Sequence, residues 1–264
     1  MITEEQVQNT FKWFDQYVMK FNSSDNEFQR NIDLKYYHIF RVIDNITEIC
    51  NHTGLSEEKT RLARIIGLFH DIGRFKQLAQ YGTFADKKSE DHAHIGVSEL
   101  HKHNAFDIFE NKDAEIIKTA INNHNKKTVA EDIQGEALMF AKLIRDADKI
   151  DIYKVITDYC TNPDQETNST LQLDLPDIPE YQQSIAERIL RNKLVSLDHL
   201  KTFNDFKLLQ ISWIYDFNFP ASLEIIKSRR YIETLISTLP QDEIIHRLQS
   251  HVLQFIEKHA YSAY

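Results

Sequence analysis

The chain is predicted to be all-α, and three observations carry that prediction. Six glycines and five prolines interrupt 264 residues, while Leu, Ile, Glu, Lys and Gln are plentiful, a balance that favours helices over sandwiches, barrels or disorder. Apolar residues return at three- and four-residue intervals, the period that gathers side chains on one face of a helix. Capping residues stand where those apolar runs begin, and glycines or prolines where they end or restart.

Residues 3–21 open with the capping-box pattern Thr3-Glu4-Glu5-Gln6 and continue as an aromatic-rich amphipathic helix through Phe11, Phe14, Tyr17, Val18 and Phe21. A turn at 22–26 leads into a long helix, 27–51, with Ile39, Val42, Ile43, Ile46, Ile49 and Cys50 on its apolar face. Gly54 closes that helix, and Ser56 caps the next, which ends at His70-Asp71. Residues 76–91 read as a polar loop of the kind that selects ligands. Helices are expected at 92–102, 113–124 and 133–159. Segment 161–179, with three prolines and an extended 171–175 stretch, is the clearest break. Beyond it, helices are expected near 180–194, 198–216, 221–238 and 241–259, the last two at Pro220 and after Pro240. Phe203, Phe206, Trp213, Tyr215, Phe217 and Phe219 read as core. Two domains are therefore expected: a helical core with its N-terminal helix over 1–160, and a helical extension over 161–264 packed on it.

Composition also excludes functions. No stretch approaches eighteen uninterrupted apolar residues, so no membrane span is expected. The N-terminus lacks a basic region followed by an apolar one, and Cys50 and Cys160 form no CxxC pair, so a reducing cytoplasm is the expected location. A formal charge of −9 argues against an extended nucleic-acid surface, which needs a basic stripe. It leaves room for a small anionic substrate, because bound divalent metals reverse the local sign.

The chemistry lies in polar residues that fall on apolar rows. Leu62, Ile66 and His70 are four residues apart, so His70 points at the core with Asp71 beside it. His38 shares a face with Val42 and Ile46, His124 with Ile116 and Ala120, and Asp148 with Ile144 and Ile152. His92 heads the row His92, Gly96, Leu100, where glycine admits another helix or an ion; its rival, His94, heads the polar row His94, Ser98, Lys102. Burying an unpaired polar group costs on the order of 2–7 kcal/mol, so six such residues are hard to explain as structure alone, and a metal ion is the strongest candidate partner. Imidazole and carboxylate ligands without thiolates suit one or two divalent transition metals (Mn, Fe, Co, Ni or Zn) and not a closed structural zinc. The remaining histidines, among them His52, His101, His103, His199, His246, His251 and His259, read as solvated or surface residues.

The order His38, His70-Asp71, Asp148 resembles the HD superfamily of metal-dependent phosphohydrolases. His70-Asp71-Ile72-Gly73-Arg74 is similar to its HDIG segment, and Arg145-Asp146-Ala147-Asp148-Lys149 to its terminal aspartate motif. Asp91-His92-Ala93-His94-Ile95-Gly96 and Asn122-Asn123-His124-Asn125 resemble the added histidine motifs of two-metal members, including the HD-GYP branch. Asn125 stands where that branch has a second histidine, Leu34 where it has a glutamate, and no GYP tripeptide occurs, which withdraws support for a third metal and for cyclic-di-GMP. The resemblance covers about residues 28–160 and implies an HD-type helical bundle, to which the C-terminal helices read from the sequence pattern are additional.

It also implies roles. His38, His70, Asp71 and Asp148 would hold one metal; Asp71 would bridge to a second, completed by His92 and His124. A metal-activated water would attack phosphorus in line. Arg74, which replaces a common lysine, and Lys149 would steady charge on the phosphoryl oxygens, and Asp151 or His94 would protonate the leaving group. The expected substrate is a small phosphorylated molecule, with nucleotides included. Two other classes keep the same ligands: a di-iron oxygenase, and a non-catalytic module that senses a nucleotide.

Overall fold

In the computed structural model, which describes residues 2–162 and 169–260, the helices follow from local signals in the sequence. Thr3 caps α1 (Glu4–Val18) reciprocally: its hydroxyl accepts from Gln6 N, and its own N–H donates to Gln6 Oε1 at 2.8 Å. Asp25 caps α2 (Asn26–His52) by accepting from Glu27 N and Phe28 N, both at 2.9 Å. Ser56 caps α3 (Glu57–Phe69). No strand occurs among the described residues, and none of their helices is long and apolar enough to cross a membrane.

Backbone packing separates two units, one ending at Asp148 and the other starting at Lys149. The expected border near 160 marks the end of a helix, α7 (Gly135–Thr161), whereas packing divides within it. A break in sequence pattern shows where a helix stops. It does not show where the helix changes neighbours.

In the first unit α2 buries Ile39, Val42, Ile46 and Ile49 completely, each worth about 2 kcal/mol against exposure, which together outweigh the cost of carrying His38 on the same face. α2 and α3 run close because Gly67 has no side chain; a Cβ there would lie 3.2 Å from Ile43 Cγ1. Part of the expected 76–91 loop is helix instead: α4 (Gly73–Tyr81) buries Phe75, Gln77 and Leu78. Gly73 looks like a terminator in the sequence but serves as a contact point. It lets α4 cross α5 (His92–Lys102) at backbone distance, and a Cβ on Gly73 would stand 2.1 Å from His92 O and 2.5 Å from Gly96 N. Gly96 thus admits a helix, one of the two partners its row allowed. α6 (Asn111–His124) completes the set, and the Arg145 guanidinium holds its C-terminal end by donating to the carbonyls of Asn123, His124, Lys126 and Lys127.

The second unit continues from the later residues of α7 through α8 (Ser169–Gln172), α9 (Gln183–Ile189), α10 (Phe203–Ser212), α11 (Pro220–Ser228), α12 (Tyr231–Ser237) and α13 (Glu243–Ala260). Residues 163–168 of the expected 161–179 connection lie outside the described residues. The extended 171–175 stretch is replaced by α8 and by Leu173 and Asp174 at positive φ. The single helix expected over 221–238 is broken at Arg230, which adopts φ 55°, with neither glycine nor proline to announce it. α10 is buried on all sides, and Asp205 anchors its start by accepting from the N–H groups of Gln182, Lys201 and Thr202. Phe203 and Phe206 are core here, while Trp213, Tyr215, Phe217 and Phe219 are half-buried.

Candidate metal centre

Six side chains from four helices and the α3–α4 junction converge in the first unit. His38 (α2), His70-Asp71 (the junction), His92 (α5), His124 (α6) and Asp148 (α7) all take part, and Asp71 stands at the middle. Its two carboxylate oxygens face different groups. Oδ2 lies 3.5 Å from His38 Nε2 and 3.9 Å from His70 Nε2, and Asp148 Oδ1 joins that side at 3.2 Å from His38 Nε2 and 4.0 Å from His70 Nε2. Oδ1 lies 3.2 Å from His92 Nε2 and 3.7 Å from His124 Nε2. Ligand atoms about 2.1 Å from one cation are roughly 3 Å apart when adjacent and about 4 Å when opposite, so both groups have the spacing of a coordination sphere.

Hydrogen bonds on the far ring nitrogens decide what the near nitrogens offer. His70 Nδ1–H donates to Gly67 O at 2.7 Å, His124 Nδ1–H to Ile121 O at 2.6 Å, and His92 Nδ1–H to the Asp86 carboxylate at 2.8 Å. With that nitrogen carrying the proton of a neutral ring, Nε2 is the nitrogen each would offer to the centre. His92 Nε2 and His124 Nε2 then face each other at 2.9 Å, and His70 Nε2 faces His38 Nε2 at 3.3 Å. Where both facing nitrogens are unprotonated, lone pairs opposed at that distance repel unless a cation lies between them. On this ground the donor set around Asp71 fits divalent metal.

The electrostatics agree with that role. Burial drives the His70 imidazole down from its usual 6.5 to about 3, against the opposing pull of Asp71 and Asp148, so it is neutral at physiological pH as a ligand must be. Burial disfavours the charge on Asp71, but Lys35 and Arg74 hold its carboxyl well below the ordinary range. Asp148 is likewise held low against burial, through its bond to His38.

A measurable consequence concerns the metal-free protein. The unfolded chain protonates His70 near 6.5 and the folded chain only near 3, so in between the unfolded state binds one more proton. That contribution to stability is whole above pH 6.5 and declines as pH falls, by about 1.4 kcal/mol per unit. Urea unfolding of chelator-treated protein between pH 6 and pH 4 is expected to show this slope, and His70→Asn to remove it. An equal slope in the variant would mean that folded His70 is already protonated.

Other residues named from the sequence fall elsewhere. His94 is exposed, as are His52 and His101. Arg74 reaches Asp71 Oδ1 at 3.4 Å and also donates to Gln77 Oε1, Phe84 O and Asp86 Oδ1, which ties the 82–91 segment to the centre. In the second unit the Lys149 ammonium is paired with Asp216 and lies 5.4 Å from the Phe217 ring, so its charge is already compensated; Asp151 is buried. Asn125 spends its amide N–H on Asp91 Oδ1 at 2.7 Å.

Sequence reasoning missed two residues. Asp86 orients His92 from the polar loop and also receives Gln77 Nε2 at 2.8 Å, and nothing in a solvated charge run distinguishes it. Lys35 donates to Asp71 Oδ2 at 2.8 Å. It lies three residues before His38, hence on an adjoining face of α2, a signal that was available.

An all-α protein with a buried four-histidine, two-aspartate centre is the class that fold and site define. Residues 36–160 match the family model of the HD domain, so the chain carries an HD domain, and all six converging residues lie in the matched stretch. HD domains bind divalent metals and are generally metal-dependent hydrolases. Comparisons with curated proteins and with solved structures returned no match.

Proposed function

We propose that this protein hydrolyses a phosphoester of a small molecule, a class that includes nucleotides, with two divalent transition-metal ions held by His38, His70, Asp71 and Asp148 on one side and by Asp71, His92 and His124 on the other. One observation carries the reading: the two oxygens of Asp71 are shared between two groups of nitrogen and oxygen donors. When bound, such ions lower the pKa of water and neutralise charge on a phosphoryl group. The chain's own part is to fix that arrangement. Asp86 and the carbonyls of Gly67 and Ile121 hold three imidazoles in the ligating tautomer. Arg74 adds a fixed positive charge beside Asp71, where negative charge on the phosphoryl oxygens would be stabilised. Lys149 is left out of this reading because Asp216 already holds its ammonium.

The test begins with metal analysis of protein purified without chelator, followed by a phosphoester panel with Mn, Co, Fe and Ni. About two ions per chain, with phosphate release that chelator abolishes, is the expected result. Oxygen consumption by the ferrous protein without phosphate release would replace the hydrolase with an oxygenase. Tight nucleotide binding without turnover would make the protein a sensor.

A further inference from the structure

We infer that Lys35 is the anion-binding residue of this centre, one that competes with metal for Asp71 and then takes the phosphoryl group of the substrate; the inference rests on the phosphohydrolase reading above. Three observations meet at its ammonium. Nζ lies 2.8 Å from Asp71 Oδ2, the oxygen that also faces His38 and His70. It lies 5.5 Å from the centre of the Phe84 ring, in the segment that Arg74 ties down. Its side chain keeps 18% of its exposure, against 4% for Asp71, so it lies on the solvent side of the carboxylate.

A dication on Oδ2 and an ammonium on the same oxygen repel each other, so Lys35 and the metal compete for Asp71. The four-carbon stem lets the ammonium turn outward without any change in α2, where it points at whatever anion enters from solvent. The neighbouring cation, Arg74, cannot make that exchange, because its guanidinium also holds Gln77, Phe84 and Asp86. Lys35 thereby links loading to binding: its charge partner is a protein carboxylate before metal binds and a substrate phosphate afterwards.

Removing the ammonium should therefore move two affinities in opposite directions. Calorimetric titration of metal-free protein with Mn(II) alone should show Lys35→Met binding the ion about fivefold more tightly than wild type. Titration of the Mn(II)-loaded proteins with inorganic phosphate should show Lys35→Met binding about tenfold more weakly, with Lys35→Arg within about threefold of wild type. A purely structural role for Lys35 would weaken both. If wild type and Lys35→Met bind phosphate equally, the inference is overturned while the phosphohydrolase reading stands. If loaded wild type binds no phosphate, that reading falls and the inference with it.

Discussion

Asp71→Asn is expected to lower the metal content of the purified protein from about two ions per chain to one or none, and to cut phosphoester hydrolysis by about a thousandfold or more. Asparagine keeps the size of the side chain and one carbonyl oxygen, so the helices around it need not shift. What it loses is the negative charge and the second acceptor oxygen, the two properties that let one residue face His38 and His70 on one side and His92 and His124 on the other. Asp71→Ala should have the same effect on metal and rate. It would also destabilise the fold further, because Lys35 would lose the carboxylate it pairs with and Arg74 one of the two carboxylates it faces. Circular dichroism separates loss of the site from loss of the fold. Wild-type turnover in a folded Asp71→Asn protein would remove the bridging carboxylate from the mechanism.

Gly73→Ala is expected to be the most damaging single methyl in the first unit. The new Cβ would overlap His92 O and Gly96 N, which are backbone atoms of a packed helix and cannot rotate away. α4 and α5 would have to separate, at a cost of about 3 kcal/mol and a fall of roughly 10 °C in Tm. His92 sits on the displaced turn, so the ion on the Oδ1 side of Asp71 should be lost first. Gly96→Ala is the control. Its Cβ would meet Gly73 N and Ile72 Cγ2 at 3.3 Å, which a small adjustment relieves, so its loss should be about 1 kcal/mol. Equal melting temperatures for the two variants would rule out the close crossing.

Much of this could be read without coordinates. Periodicity placed His38, His70, His92 and His124 on apolar faces, and all four side chains are buried in the centre. The preference for His92 over His94 came from their rows, and the two differ in burial in that sense. The misses have a common cause. A glycine after His70-Asp71 signals a break in a helix, and only the close approach of α5 shows that a second helix starts there. Asp86 is indistinguishable from its solvated neighbours until the 82–91 segment is seen folded against His92 and Arg74.

By itself the sequence determined that the chain is helical and which side chains must leave water, because both depend on short-range spacing along the chain. Only the tertiary structure decided how Asp71 divides its oxygens, which cations stand beside it and which carboxylate orients His92. Those are contacts of 2.8–4.0 Å between residues up to 110 positions apart (His38 to Asp148), and no local pattern encodes a distance across that separation.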